Sequence, residues 1–450
     1  MSFSKEVFSA NSRIDNGELV IAGCKSTLLA KEFETPLFVL DEEDFRSRAS
    51  SWKGALHRHF GENAGEVYYA AKSFICVEVA KMVKESGIGI DVCTGGELAV
   101  ALAADFPTDR IELHGNNKSL SEIEEAIKVG VSRIVVDSIQ EINRVQEIAS
   151  RLGKSQKVLI RITPGVEAHT HEAISTAHED VKFGLSIATG AAWKAIELVE
   201  ASSNLSLQGF HCHIGSQIFN TEGYEIAIKR IVELNAKFKD SFNRELSEFD
   251  IGGGFGIAYL PDETTMDPDA ALAKLSKVIK TEFANKKLAL PKISIEPGRA
   301  ISGPTTTTIY EVGTTKHIEL DGGGSRHYIA VDGGMSDNAR TGLYGAEYMA
   351  IIANRTSTEV EIQSRLVGKH CETGDIIIRD LQFPSDVKPG DLIATPATGA
   401  YGRSMASNYN HVPRPAVIAV KDGKARIILR RESLADLLAL DVSEVGRELK

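Results

Sequence analysis

Short apolar or β-branched runs alternate with longer segments of helical periodicity over residues 36–297. The apolar runs are PLFVL (36–40), VYYAA (67–71), IGIDV (88–92), RIELH (110–114), RIVVD (133–137), KVLIRIT (157–163), LQGFHCHI (207–214), FDIGG (249–253) and KISIEP (292–297). The helical segments carry end signals: in SLSEIEEAIKVG, Ser119 is placed to cap the helix and Gly130 to end it. Alternating strands and helices predict parallel strands joined by crossover helices.

The number of these units indicates the fold class. The first run is followed by a helix and then by eight further strands within roughly 230 residues, as a TIM (β/α)8 barrel requires. A doubly wound parallel sheet is the competing arrangement. We therefore predict an α/β fold in which residues 36–300 form the barrel.

The rhythm changes after about residue 300. Strand-like runs such as TTTTIYEVG, HYIAVDGG and DIIIRDLQF are separated by Gly, Pro and Asp turns, and a convincing helix returns only at SLADLLAL. This pattern predicts a C-terminal all-β domain over 301–450. Residues 1–35 contain another strand-like run, ELVIAG, which we expect to join that domain. The run DGGGS (321–325) is interpreted as a turn, since no helix follows it as a phosphate loop would need.

Composition excludes several classes of function. The 450 residues are 42% hydrophobic and 25% charged, which is typical of a globular protein with a large core. A net charge of −11 without a basic run argues against nucleic acid or anionic lipid as a partner. No apolar stretch approaches the ~20 residues of a membrane span, and because the first residues lack an apolar h-region we expect no secretory signal. Five cysteines without a CxxC motif predict reduced thiols and a cytoplasmic location.

Polar residues and glycines stand at eight consecutive predicted strand ends. In a barrel the chemistry lies at the carboxyl ends of the strands. One such residue alone would be ordinary, because a histidine beside a core strand more often packs than reacts. The whole set indicates an active site: Lys72, Asp91, His114, Asp137, Arg161, His213, 252–254 and 296–299.

The last two strand ends predict a phosphate site. FDIGGGFG (249–256) offers backbone N–H groups that no Cβ blocks, and EPGR (296–299) supplies a second glycine turn. GGGFG does not match G-x-G-x-x-G, so a dinucleotide is disfavoured. A phosphate site, a lysine and a carboxylate fit pyridoxal 5'-phosphate (PLP). Lys72 would form the imine, Gly252–Gly254 would bind the phosphate and Glu296 would face the ring nitrogen.

The histidines suggest a metal as the alternative. His211 and His213 in HCH stand at i and i+2 of a strand and therefore point to one face, but no third zinc ligand is near in sequence. We therefore predict no metal and assign His213 to stacking on the cofactor ring. His169, His171 and His178 lie in AHTHEAISTAHED (168–180), which is not H-E-x-x-H and is interpreted as a mobile loop.

Motifs along nearly the whole chain resemble the fold-type III PLP-dependent decarboxylases, and most closely the diaminopimelate decarboxylases. HGNNKS and CETGD favour that group over the ornithine and arginine enzymes, while ISTAHEDVKFG (174–184) lacks the glycine expected after its threonine. The motifs, in the family's order, are YYAAKS around Lys72, GIDVCTGGEL (89–98), HGNNKS (114–119), GFHCHIGSQ (209–217), DIGGGFG (250–256), EPGR (296–299), DNARTGLYGAEY (337–348), GKHCETGD (368–375) and ATGAYGRSMASNYN (397–410).

The resemblance implies an alanine-racemase-like architecture, a PLP-binding barrel with a β-domain built from both chain ends. It implies decarboxylation of meso-2,6-diaminopimelate to L-lysine and CO₂, the last step of lysine biosynthesis. It also implies an obligate homodimer whose active sites are shared across the interface.

The resemblance further implies the role of each matched residue. Lys72 carries the imine, and Glu296 faces the ring nitrogen. The other cofactor contacts are Asp91, His213, Ser216, Gly253, Gly254, Gly298, Arg299 and Tyr401. The substrate contacts are Arg299, Arg340, Tyr344, Glu372 and Tyr401. Cys371 is the proton donor, and Cys371 and Glu372 come from the partner subunit.

Three other functions stay open. A non-catalytic relative that binds a partner protein should have lost Lys72 or Cys371, and both remain. An alanine-racemase-like enzyme needs a short substrate pocket, whereas Arg299, Arg340 and Glu372 suit a long substrate. A decarboxylase of ornithine or arginine is the third, and CO₂ release from each acid would separate them.

Overall fold

Eight parallel strands form a closed barrel. Each strand pairs with the next along the chain, and the eighth pairs with the first. The closure confirms the predicted barrel over a doubly wound sheet. Barrel strands 1 to 8 are Gly65–Ala70, Gly89–Val92, Ile111–Leu113, Arg133–Val136, Gln156–Thr163, Leu205–His211, Glu248–Asp250 and Lys292–Ile295. A two-residue strand, Leu185–Ser186, pairs with strand 5.

The computed structural model describes residues 3–165 and 182–442. Its contacts divide the chain into two units. The barrel unit is Asp44–Ala258 with Asp262–Pro304, and the sheet unit is Met1–Glu43, Tyr259–Pro261 and Thr305–Lys450.

Helices connect the barrel strands, and local sequence sets their ends. The helix Leu120–Val129 begins at a capping box of Ser119 and Glu122 and ends at Gly130 in the left-handed region, as the sequence predicted. The other helices between or after barrel strands are Val77–Glu85, Gly95–Ala103, Ile139–Arg151, Ala191–Glu200, Glu222–Phe242, Pro268–Asn285 and Arg299–Ser302, and Glu42–Phe60 precedes strand 1. Within the two described ranges, no helix combines the length and apolarity needed to cross a bilayer.

The sheet unit is built on a large mixed sheet. Its longest strand, Thr306–Glu319, pairs with Ser325–Val331 over one half and with Leu392–Thr395 over the other. The remaining strands of this sheet are Leu37–Asp41, Ile351–Ile352, Glu361–Val367, Ile376–Pro384, Ala416–Lys421 and Lys424–Leu429. The helices of the unit are Ser26–Phe33, Arg340–Tyr344 and Leu434–Leu438.

One segment differs from the prediction. The run 36–40, predicted with the barrel, forms the strand Leu37–Asp41 between Thr306–Glu319 and Ala416–Lys421 of the large sheet. A fully buried apolar strand has the same sequence pattern in either environment, so only its pairing distinguishes them. ELVIAG contributes the strand Glu18–Ile21, which pairs with Ser12–Asp15 and Cys24–Lys25 in a separate small sheet.

Candidate active site

The polar strand-end residues lie at the carboxyl end of the barrel. Arg161 stands within strand 5, and His114 and Asp137 directly follow strands 3 and 4. Lys72 lies in a short 3₁₀ turn after strand 1, and Glu296 directly follows strand 8. Because parallel strands all end on one side, side chains from distant parts of the sequence converge there. His169, His171 and His178, together with Ala177, where the resemblance predicted a glycine, lie outside the described residues.

Lys72 is held by Asp91. Its Nζ donates a hydrogen bond of 3.2 Å to Oδ2 of Asp91, a fully buried residue on strand 2. Burial raises the pKa of Asp91 to about 7, although the ammonium of Lys72 opposes this shift. Asp91 therefore orients the lysine nitrogen at the barrel mouth. Because its pKa lies near neutrality, Asp91 can exchange a proton and the pair need not stay an ion pair.

His213 is neutral and has a defined orientation. Its Nδ1 accepts a hydrogen bond of 3.2 Å from the backbone N–H of Gly253. Desolvation by its surroundings, with a further contribution from Lys72, lowers its pKa to about 3. Strand 6 ends at His211, so the alternation expected for HCH does not extend to His213. A neutral imidazole held by a backbone amide is suited to packing against an aromatic ring.

The loops after strands 6, 7 and 8 are joined by backbone hydrogen bonds. The N–H of Ile218 donates to the carbonyl of Gly254, and the N–H of Glu296 donates to the carbonyl of Gly252, both at 2.9 Å. Nη2 of Arg299 donates a hydrogen bond of 2.9 Å to Oγ of Ser216. These hydrogen bonds hold together the three loops that carry the residues predicted to bind the phosphate.

Gly254 permits the close approach of two of these loops. Its φ is +106°, and a Cβ built on it would collide with the backbone carbonyl of Gly215. Gly253 and Gly298 are similarly constrained, since their Cβ atoms would meet the carbonyl of Glu296 and the side chain of Ala70. These glycines are therefore required by packing as well as available for contact with a phosphate.

Glu296 lies among buried titratable groups. Nε2 of His211 is 3.0 Å from its Oε1, and Nε2 of His114 is 3.4 Å from the same oxygen. Burial alone would raise the pKa of Glu296, but the two imidazoles and Lys72 hold it well below its usual value. Among the described residues, Oε1 has no hydrogen-bond partner of normal geometry. This ionised carboxylate can still accept a hydrogen bond from a ring N–H, as PLP would require.

The remaining predicted residues belong to the sheet unit and form two groups. In the first, Nη1 of Arg340 donates a hydrogen bond of 2.6 Å to the hydroxyl of Tyr348, and its guanidinium lies 4.8 Å from the ring centre of Tyr259. Burial would lower the pKa of Arg340, but the phenol groups of Tyr259 and Tyr348 and, more weakly, Tyr401 raise it. Tyr344 ends the short helix that Arg340 begins and is half-buried.

The second group surrounds Cys371 and Glu372, which are both exposed. The backbone N–H of Cys371 donates a hydrogen bond of 3.0 Å to Oδ1 of Asn410. The hydroxyl of Tyr409 donates to Oε2 of Glu372 at 3.4 Å, and the ring of Tyr409 stacks on His370.

Tyr401 has an unusual backbone. Its φ is +59°, a left-handed conformation that bulky residues rarely adopt. A bulky residue keeps such a conformation only where the surrounding structure holds it, so neighbouring groups fix the backbone at Tyr401.

No specific role was predicted from the sequence for several residues that the structure places at these positions. His114 and His211 contact Glu296, and Tyr409 and Asn410 contact the Cys371–Glu372 segment. The strand-end position of His114 and the last motif, which ends in Asn410, were the available signals. Neither signal shows that His114 contacts Glu296 or that Asn410 contacts Cys371, because the two residues of each pair lie far apart in sequence.

Comparison with known proteins indicates one family. Residues 42–303 match the family described as pyridoxal-dependent decarboxylase, pyridoxal binding domain. The diaminopimelate decarboxylase of Mycobacterium tuberculosis (strain H37Rv) is 52% identical over 435 residues, covering 96% of each chain. That of Corynebacterium efficiens is 45% identical, covering 96% of this chain and 93% of its own. The structure of diaminopimelate decarboxylase from M. jannaschii in complex with L-lysine superposes with a TM-score of 0.90 at 30% identity, covering 97% of this chain and 98% of the other.

Proposed function

The chain belongs to the diaminopimelate decarboxylase family of pyridoxal-dependent decarboxylases, and we propose that the strand-end residues described above catalyse conversion of meso-2,6-diaminopimelate to L-lysine and CO₂. The observation that carries this proposal is the pairing of Lys72 with Asp91 at the end of a barrel whose sequence matches the family along nearly its full length. We propose that Tyr401, Cys371 and Glu372, which belong to the sheet unit, also act in this reaction.

PLP fits the residues present. Lys72 would hold it through its aldehyde, with Asp91 orienting the lysine nitrogen. Ser216, Gly253, Gly254, Gly298 and Arg299 would bind its phosphate. His213 would pack on its ring, Glu296 would accept a hydrogen bond from its ring nitrogen, and Tyr401 would contact its edge. When bound, the cofactor supplies an electron-accepting ring that stabilises the electron pair left by loss of CO₂.

Side-chain charge supports a substrate with an amino-acid group at each end. Arg299 and Arg340 offer guanidinium groups to a carboxylate, and Tyr344 and Tyr401 offer hydroxyls. Glu372 offers an anion to the distal ammonium; hydrogen bonds from the Gly374 backbone and the Thr373 and Tyr409 side chains hold its pKa below the usual value. Cys371 would deliver the proton to the carbon that loses CO₂.

We further propose that the enzyme is a homodimer in which Cys371 and Glu372 reach the barrel of the partner subunit. The exposure of both residues supports this arrangement. Residues that act at the interface of a dimer are exposed when a single subunit is considered without its partner. We propose a cytoplasmic location because the cysteines are free thiols. All five lie within the described residues, and they form no disulfide.

Measuring CO₂ release from meso-diaminopimelate, ornithine and arginine tests the proposed reaction. We expect meso-diaminopimelate to react with a kcat/KM at least about a hundredfold higher than the others, because Arg299, Arg340 and Glu372 match both of its ends. A preference for ornithine or arginine would contradict the proposed substrate. Absence of CO₂ from all three, with PLP bound, would favour a non-catalytic relative.

Borohydride reduction of the purified holoenzyme is expected to fix the cofactor on Lys72. The reason is that the Lys72 nitrogen lies at the barrel mouth, oriented by Asp91. Peptide mapping by mass spectrometry locates the label. A label on another lysine, such as the buried Lys118, would contradict the assignment.

Substitution Gly254→Ala is expected to weaken PLP binding at least about tenfold, since the new Cβ forces the loops after strands 6 and 7 apart. Gly130→Ala is the matched control. Gly130 also has a positive φ, of +80°, but no atom lies within 4 Å of its added Cβ. Titration of each cofactor-free variant with PLP gives the affinity. Equal losses in both variants would show that backbone strain, rather than loop contact, is responsible.

A further inference from the structure

Three buried carboxyl groups meet inside the barrel. Glu112, Asp250 and Glu296 come from strands 3, 7 and 8, and one oxygen from each lies within 4.8 Å of the others. Each of the three residues is at most 3% exposed. Three negative charges this close in a desolvated space would repel one another strongly, so the cluster favours a single charge.

The two histidines distinguish Glu296 from the other two acids. His211 and His114 approach Oε1 of Glu296 at 3.0 and 3.4 Å, whereas Glu112 is 3.6 Å from His114. The two imidazole rings meet edge to face, with centres 5.0 Å apart and planes at 76°. Neither imidazole meets the criteria of a hydrogen bond to this oxygen, so both contacts are electrostatic.

We propose that His114 and His211 are positioning residues that orient the carboxylate of Glu296 and concentrate the negative charge of the buried acid cluster on it. The inference deepens the proposed function, because Glu296 is the residue proposed to face the PLP ring nitrogen. If the negative charge lies on Glu296 rather than on Glu112 or Asp250, the carboxylate can accept a hydrogen bond from the N–H of the PLP ring.

The electrostatics of the surrounding groups agrees with this arrangement. Burial raises the pKa of both Glu112 and Asp250 well above the usual value, while the pKa of Glu296 is held low. Burial also lowers the pKa of His114 and His211, while the carboxylate of Glu296 opposes that shift. The titratable groups that act on Glu296 or are acted on by it are His114, His211, His213, Lys72, Asp91, Cys93, Glu112, Cys212 and Asp250.

The test is the ionisation of Glu296 in the cofactor-free protein, followed by ¹³C-glutamate NMR against pH. The signal is assigned by its loss in Glu296→Gln. In His211→Leu we expect the midpoint of this titration to rise by about one pH unit or more, and further in the double variant with His114→Leu. In His211→Gln at least half of the rise should disappear, because an amide N–H can replace the imidazole. His327→Leu, in a strand of the sheet unit, is the control.

The holoenzyme gives a second measurement. We expect kcat of His211→Leu to fall roughly ten- to hundredfold with a smaller change in KM, and His211→Gln to recover part of it. The pH dependence of the visible absorption of bound PLP should shift in the same variants and not in His327→Leu. A merely structural role would lower stability without moving this spectrum.

Three results would overturn the inference. The Glu296 midpoint could be unchanged in the histidine variants, or the ionised carboxyl of the wild-type cluster could be Glu112 or Asp250. Stoichiometric zinc in purified protein, lost on replacement of His211, would assign the cluster to metal binding instead. Failure of the proposed reaction is distinguishable, because it would remove CO₂ release from wild type and leave the NMR titration as predicted.

Discussion

Replacing Glu296 with glutamine is expected to leave the cofactor bound while lowering kcat by about 10²–10³-fold, equivalent to roughly 3–4 kcal/mol. Glutamine has nearly the same shape but no charge, so it cannot keep the ring nitrogen protonated. The loss should appear in kcat, because the ring must accept electrons only as CO₂ departs. Single-turnover assays at known PLP occupancy measure it.

Asp250→Asn is the matched control for Glu296→Gln. Asp250 is buried in the same cluster, but burial raises its pKa well above the usual value, so the amide replaces a group that is already neutral. Its Oδ1 accepts a hydrogen bond from the Gly252 N–H, which asparagine can also accept. We expect a loss in kcat below about tenfold. Near-normal turnover of Glu296→Gln at full occupancy would mean that Glu296 serves only the glycine turn that follows it.

Mixing two inactive variants is expected to restore activity. Lys72→Ala should show no measurable turnover, because alanine has no amine to form the imine with the cofactor, and Cys371→Ala should be badly impaired. If the residues act in trans, a mixed dimer has one site with both defects and one site with neither. Random exchange of equal amounts makes about half of the dimers mixed, so roughly a quarter of wild-type sites should return.

The exchange experiment needs evidence that subunits were exchanged. A tag on one variant allows mixed dimers to be purified and counted before CO₂ release is assayed. A mixture of tagged and untagged Lys72→Ala serves as the control and should stay inactive. Activity that remains at the level of the separate variants, with mixed dimers present, would place Lys72 and Cys371 of each site in one chain.

Local sequence determined much of this protein. Alternation of apolar runs with capped helices predicted the parallel barrel, because hydrogen bonding and burial within each element are periodic in the sequence. Ser119 and Gly130 marked the ends of their helix for the same reason. The strand-end positions of Lys72, His213 and Glu296 followed from the barrel itself, since parallel strands bring their carboxyl ends to one side.

Only the tertiary structure decided which elements and side chains meet. The strand Leu37–Asp41 has four buried apolar residues followed by the buried Asp41, and its pairing with Thr306–Glu319 depends on residues far along the chain. From the sequence, His211 and His213 could be judged as metal ligands only as an isolated pair. In the fold, His211 joins His114 and Glu296 from two other strands, while His213 bonds to Gly253. Sequence patterns report burial and local hydrogen bonding, but the ionisation of Glu296 depends on which distant groups share its desolvated space.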